Sequence, residues 1–278
     1  MNQNETKFKD IKHSEPFKHN KKFGQNFLSD KNLLNAIVAD SGVSKNDEVL
    51  EIGTGAGALT EAIAKKAKRV VSYEIDKKLT EFLKEKFSNT KNVEIKFMNI
   101  LKFPMNEIEK DFIGDFYIIA NLPFYITTPL IFKFLEQTNK AKNLTLMVQK
   151  EVAEKMVAVS GNKNYGILSV MINYYCDAKI TRNVKKEMFR PRPKVDSAVI
   201  KLTRKPDAFY NPEFTQFVAK CFAMKRKTLT NNLLQSNLKK ENILVAFENL
   251  KIPPMSRAEN LILNQFRQLF SELTQNRH

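Results

Sequence analysis

The chain is short of the residues that carry most stand-alone catalytic chemistry. Two cysteines, Cys176 and Cys221, occur in 278 residues, too few for a cysteine-based zinc site. Of three histidines, His13 and His19 fall in the polar stretch MNQNETKFKDIKHSEPFKHNKK, and His278 is the last residue. A Ser-His-Asp or Cys-His relay needs an imidazole positioned inside the fold, and a histidine-rich metal centre needs several. Neither is expected, and no metal is expected either. An enzyme of this composition would take its reactivity from an organic cofactor.

Long apolar runs are missing too. None approaches the roughly 20 residues of a membrane helix, and the N-terminal stretch has no apolar signal region. With nothing to suggest export, a cytoplasmic protein without membrane attachment is expected. Acids are scarce: 30 Asp and Glu stand against 46 Lys and Arg, a formal charge of +16. Residues 179–205 hold ten basic residues, Arg190 and Arg192 among them, and only two acids, Glu187 and Asp196. The plain reading is a solvated face. The sharper one is a phosphate-binding surface, because clustered cations release counterions on meeting a nucleic acid. No basic amphipathic helix with an aromatic face stands out, which favours nucleic acid over an anionic membrane.

What the chain does contain is order. Its hydrophobic content of 42% can fill a core, and its length suits one large domain or one domain with a smaller partner. EVLEIG, RVVSYEID, VEIKF, DFYIIAN and NLTLMVQ read as strands, alternating with helical patterns such as KNLLNAIVADS, ALTEAIAKKA and KKLTEFLKEKF. That alternation predicts βαβ units and a parallel sheet covered on both faces, with VDSAVIKL as a late strand. After PDAFYNP only helical runs follow. The fold class expected is α/β with a small all-helical C-terminal domain.

Three of only eight glycines, Gly53, Gly55 and Gly57, lie between a strand and a helix. There the backbone can approach a ligand closely and aim helix N–H groups at it. Glu74, 21 residues after Gly53, ends the next strand, where it can accept hydrogen bonds from ribose hydroxyls. A nucleoside-containing cofactor is indicated. Gly53-x-Gly55-x-x-Ala58 also fits a dinucleotide fingerprint, so a nicotinamide cofactor stays open at this point.

Asn121-Leu122-Pro123-Phe124 follows the strand DFYIIA at the edge where such sheets bind ligands. Asn and Pro suit an ordinary strand-exit turn. They also suit a reaction. An exocyclic amine on a base is a poor nucleophile, because its lone pair is conjugated into the ring. The Asn121 oxygen and the Pro123 carbonyl could accept its two N–H bonds and draw the nitrogen toward tetrahedral geometry. Phe124 could hold the base by stacking.

Taken in order, FGQNFL (23–28), EIGTGAGALT (51–60), NLPFYI (121–126), FRPRPKVDSAV (189–199) and KRKTLTNNL (225–233) resemble the small-subunit ribosomal RNA adenine dimethyltransferases of the kasugamycin-sensitivity type. These are Rossmann-like class I enzymes that use S-adenosyl-L-methionine. The resemblance runs from about residue 20 to the C-terminus. It implies a flexible basic tail over 1–22, a methyltransferase domain over 23–204 and a helical RNA- and ribosome-docking domain over 205–278. It implies a monomer that dimethylates two adjacent adenines in the 3′-terminal hairpin loop of 16S rRNA within the assembling small subunit.

Carried over by position, Asn26 and Leu28 would close over the cofactor, Gly53, Gly55 and Gly57 would form its methionine-side loop, and Glu74 would hold its ribose. Asn121 would sit between methyl donor and target amine, contacting both. Phe189 would be the second aromatic wall against the flipped base. Arg190, Arg192, Lys225, Arg226 and Lys227 would meet RNA, the last three at the start of a helix. Two positions depart from the family. Asn99 stands where the family has Asp, and its amide oxygen is expected to accept from the cofactor's adenine amino group. Phe124 replaces a frequent Tyr, which keeps the stacking and loses a hydroxyl. Three rival readings are a large-subunit resistance methyltransferase, a non-catalytic RNA-binding assembly factor on the same fold, and a nicotinamide dehydrogenase.

Overall fold

A computed structural model of the chain describes residues 26–236 and 238–275. The expected tail over 1–22 and the Phe23–Gln25 start of FGQNFL lie outside the described residues.

The chain opens with β1 (Phe27–Leu28) and α1 (Lys31–Ser41), then alternates through β2 (Glu48–Ile52), α2 (Ala58–Ala64), β3 (Arg69–Glu74), α3 (Thr80–Phe87) and β4 (Val93–Phe97). It continues with α4 (Met105–Glu109), β5 (Phe116–Asn121), α5 (Thr127–Gln137), β6 (Ala141–Gln149), α6 (Lys150–Met156) and α7 (Ile167–Tyr175). After β7 (Cys176–Val184), β8 (Phe189–Arg190) and β9 (Ser197–Arg204) come α8 (Pro212–Cys221), α9 (Leu229–Leu234), α10 (Lys240–Asn249) and α11 (Leu263–Gln275). Local chemistry marks the boundaries. Asp30 accepts the Leu33 N–H at 2.8 Å to start α1, which ends at Gly42.

Seven strands form one sheet in the order β4-β3-β2-β5-β6-β9-β7. The chain leaves β2 toward β3 and β4, then returns to its other side as β5, so a crevice opens at the carboxyl ends of β2 and β5. Val49, Val70 and Ile119 face one buried layer with Ile37, Val38 and Ile63 of α1 and α2. Leu50, Ile118 and Leu146 face the other, which runs without a break into Phe214, Leu233, Phe247 and Phe266 of the C-terminal helices.

The sheet is not wholly parallel. β9 runs antiparallel to β6, and β7 antiparallel to β9. β7 gives no apolar run in sequence, because an edge strand tolerates polar residues. It carries Lys179 and Arg182, and Arg182 forks onto Asp40 of α1 at 2.6 and 2.9 Å. The short antiparallel pair of β1 and β8 sets Phe27 opposite Arg190 and Leu28 opposite Phe189. Two motifs far apart in sequence thereby become one wall.

Candidate active site

A cavity of about 170 Å³ runs across the carboxyl ends of the strands, lined by Asn99, Glu74, Gly53, Asn121 and Met147 after or at the ends of β4, β3, β2, β5 and β6. Leu28, Phe124 and Phe189 line it as well. The crevice expected from topology is thus where the sequence motifs meet.

The glycine loop owes its shape to its neighbours. A Cβ on Gly55, at φ +54°, would lie 2.8 Å from the Phe27 ring, and one on Gly57, at φ +78°, would lie 2.7 Å from the Phe87 ring. The Gly53 N–H donates to the Tyr73 carbonyl at 2.8 Å, tying the loop to β3. Glu74, 4% exposed, accepts the Gly55 N–H at 2.9 Å on Oε2 and the Asp76 N–H at 2.8 Å on Oε1. Burial pushes its carboxyl above the ordinary range, and the N–H groups of Asp76, Gly55 and Ile75 oppose that rise. With three N–H donors on about four lone-pair sites, the carboxylate keeps room to accept a hydroxyl donor.

At the other end, Asn121 donates from Nδ2 to the Asn26 carbonyl at 3.1 Å. That contact fixes the amide, and its oxygen has no partner among the described residues. The Pro123 carbonyl is differently placed, since it accepts the Ile126 N–H at 3.1 Å and the Thr127 hydroxyl at 3.3 Å. Of the two acceptors expected of the tetrapeptide, Asn121 Oδ1 is therefore the open one. Phe189 is 1% exposed and packs in the core beneath α1 while it also lines the cavity.

Asn99 lines the cavity in the turn after β4. Its Oδ1 accepts the Leu101 N–H at 3.1 Å, closing the turn after β4. That bond takes one of the oxygen's two lone pairs and leaves the other for a donor.

Sequence reading missed three contributors. Ile75 and Tyr125, 37% and 58% exposed, line the cavity; each directly follows a residue singled out above, Glu74 and Phe124. Glu51 sits inside the strand read from EVLEIG. It is fully buried, and Oε2 accepts the Thr60 hydroxyl at 2.6 Å and the Ser72 hydroxyl at 2.7 Å. Ser72 in turn pairs with Thr54 of the glycine loop at 2.6 Å. Burial, with Glu74 nearby, pushes the Glu51 carboxyl up to about 8 despite those hydrogen bonds.

A family model described as ribosomal RNA adenine dimethylase matches residues 16–275. The chain belongs to the ribosomal RNA adenine dimethylase family. Ribosomal RNA small subunit methyltransferase A of Caldanaerobacter subterraneus subsp. tengcongensis is 44% identical over 262 residues, 92% of this chain and 97% of that protein. The protein of the same name from Clostridium botulinum is 41% identical over 265 residues, 94% and 96% of the two chains. Among solved structures, a dimethyladenosine transferase from Plasmodium falciparum superposes with TM-score 0.78 at 30% identity, covering 90% of this chain and 98% of that one. The 23S rRNA methyltransferase ErmE gives 0.69 at 26% identity, covering 90% and 100%.

The cations of this dimethylase are not equally available. Arg192 pairs with Glu187, Arg190 donates to the carbonyls of Glu187 and Phe189 at 3.0 Å, and Arg204 donates to carbonyls at the end of α5. Lys225, Arg226 and Lys227 are exposed. They do not begin a helix as expected, because α9 starts at Leu229 with Thr228 as its cap; the three lie in the preceding turn. Buried Asn232 pins the start of that turn, donating to the Cys221 carbonyl at 2.8 Å and accepting the Met224 N–H at 3.0 Å.

Proposed function

We propose that this chain transfers methyl groups from S-adenosyl-L-methionine to N6 of two adjacent adenines in the 3′-terminal hairpin loop of 16S rRNA, in an assembling small subunit in the cytoplasm. The enzyme class is rRNA adenine dimethyltransferase. Small-subunit rather than large-subunit RNA is supported by relatives at 41–44% identity named for the small subunit, against 26% for the 23S enzyme.

The residues present fit the cofactor. Glu74 keeps a lone pair for a ribose hydroxyl and lines the cavity together with Gly53 and Gly55. When bound, S-adenosyl-L-methionine supplies an electrophilic sulfonium methyl. Asn26 and Leu28 close one side of the cavity, and Phe124 and Phe189 offer the base aromatic surface.

The observation that carries the reading is the locked Asn121 amide. Its oxygen can accept an N–H of the incoming amine, which draws the nitrogen lone pair out of conjugation. As the N–CH3 bond forms, positive charge grows on that nitrogen, and a fixed acceptor stabilises it without reorganising. The proton can then leave to water. The second N–H is turned toward the Pro123 carbonyl, whose own donors Ile126 and Thr127 limit what it can add.

Lys225, Arg226 and Lys227, held by Asn232, would meet phosphates of the particle, with Arg190 and Arg192 nearer the pocket. The chain works as a monomer in this reading, with residues 205–278 as the docking part beside the methyltransferase part over 23–204.

Mass spectrometry of 16S RNA from immature subunits treated with the pure enzyme tests the reading. Two neighbouring N6,N6-dimethyladenines in the terminal hairpin are expected. Methylation elsewhere, or only in 23S RNA, would overturn it.

A further inference from the structure

The three residues that open the helical stretch after β5 project in different directions. Phe124–Ile126 forms one 3₁₀ turn, in which successive side chains stand about 120° apart. Ile126 packs against the buried layer that continues into the C-terminal helices. Phe124 is half-buried and lines the cavity. Tyr125 is directed outward, 58% exposed at the rim of the same cavity. Its turn is pinned, because the Pro123 carbonyl accepts the Ile126 N–H at 3.1 Å and the hydroxyl of buried Thr127 at 3.3 Å.

A lone exposed aromatic is ordinary on a protein surface. Tyr125 differs in its place. It stands beside Phe124, the ring offered to a flipped base, and among the described residues no other ring and no hydrogen bond engages its side chain. Drawing an adenine into the cavity strips the next base of the strand of a stacking partner, which is unfavourable by itself. An aromatic ring next to the entrance replaces that partner. Tyrosine suits the position, since its ring supplies apolar contact while its hydroxyl stays in water. Being uncharged, it adds nothing to counterion release.

We propose that Tyr125 is a second base subsite, a platform on which the base adjacent to the flipped adenine stacks. The assignment rests on the substrate reading above and extends it by one nucleotide. Phe124 and Phe189 hold the base that reacts, and Tyr125 holds the strand in the register that delivers it. The residue acts in binding the substrate, not in methyl transfer itself.

Reconstituted, unmethylated small subunits test this when the fluorescent base 2-aminopurine replaces one or the other of the two adjacent adenines. Stacking on an aromatic ring quenches that base, and it has no 6-amino group, so only the remaining adenine can react. In at least one of the two particles, emission at saturating wild-type enzyme should be lower than with Tyr125→Ala, and Tyr125→Phe should restore the low emission. With all-adenine subunits, Tyr125→Ala should raise KM for the particle roughly fivefold or more, as expected for one lost stacking contact, while kcat falls much less. The salt slope of binding should match that of the wild type, as it does not when a phosphate contact is removed. Equal emission from the wild-type and Tyr125→Ala complexes in both particles would overturn the subsite, and so would an unchanged KM. Absence of methyl transfer to the 16S hairpin by the wild type would instead strike the substrate reading, and the subsite with it.

Discussion

The side-chain amide of Asn121 is held by the backbone carbonyl of Asn26, 95 residues earlier, at 3.1 Å. The contact joins the end of β5 to the segment that enters β1, and it decides which atom of the amide faces the cavity. Asn121→Asp keeps an acceptor but loses the donor, and a carboxylate oxygen against the Asn26 carbonyl is repulsive. Turnover should fall by about tenfold or more, as expected when a buried hydrogen bond is replaced by an unsatisfied pair. Hydrogen exchange at Phe27 and Leu28 should quicken at the same time. Wild-type turnover in the Asp variant would show that the Asn26 contact does not set the acceptor.

Glu74 holds the glycine loop with one oxygen and the Asp76 N–H with the other. Glu74→Gln removes one of those acceptors and the negative charge. Affinity for S-adenosylhomocysteine should drop by roughly tenfold or more, while turnover at saturating cofactor changes much less. Unchanged affinity by calorimetry would remove Glu74 from the cofactor site.

Glu51 links stability to pH. Its carboxyl rises from 4.5 to about 8 on folding, mainly through burial, so the folded chain binds a proton that the unfolded chain has released over that interval. The stability this group contributes is complete below about 4.5 and is lost as the pH climbs through about 8. Glu51→Gln imitates the protonated side chain. Its melting temperature should therefore fall less than that of the wild type between pH 5.5 and 8.5. Parallel melting curves across that range would show that Glu51 is ionised in the fold.

Lys225, Arg226 and Lys227 are exposed in one turn, whose start Asn232 fixes. Replacing all three with Ala should weaken binding to immature subunits and flatten the salt dependence by about one unit of slope for each phosphate no longer neutralised. Cofactor affinity should not move. Equal slopes for variant and wild type would place the RNA-binding surface elsewhere.

The parts of the fold that depend on periodicity were readable. β2, β3 and β5 are buried apolar runs, and the glycines between β2 and α2 mark the loop wherever such a sheet binds a ligand. β7 was not readable, because its polar residues suit an exposed edge. Glu51 was hidden inside an apolar run, where only the partner hydroxyls of Thr60 and Ser72 explain a carboxyl in the core. Residue identities placed Asn99 and Asn121 at the cavity correctly. They could not say which way each amide turns, because that is set by one backbone group two residues away and another 95 residues away. The cationic turn was misplaced onto a helix for a similar reason, since Thr228 and Asn232 fix it through hydrogen bonds that spacing does not reveal.

The role of Asn121 as the acceptor for the target amine is tested most directly by single-turnover methyl transfer with Asn121→Ala, under saturating 16S RNA particles and cofactor. The acceptor is used most fully in the transition state. Its loss should raise the barrier by about 2.7–4 kcal/mol, a slowing of roughly 100–1,000-fold, by analogy with removing one oxyanion-hole donor. Affinity for S-adenosylhomocysteine should stay within about threefold of the wild type, since ground-state binding is largely separate from that term. A variant that transfers methyl groups at close to the wild-type rate would contradict the assignment and leave Asn121-Leu122-Pro123-Phe124 as a strand-exit turn.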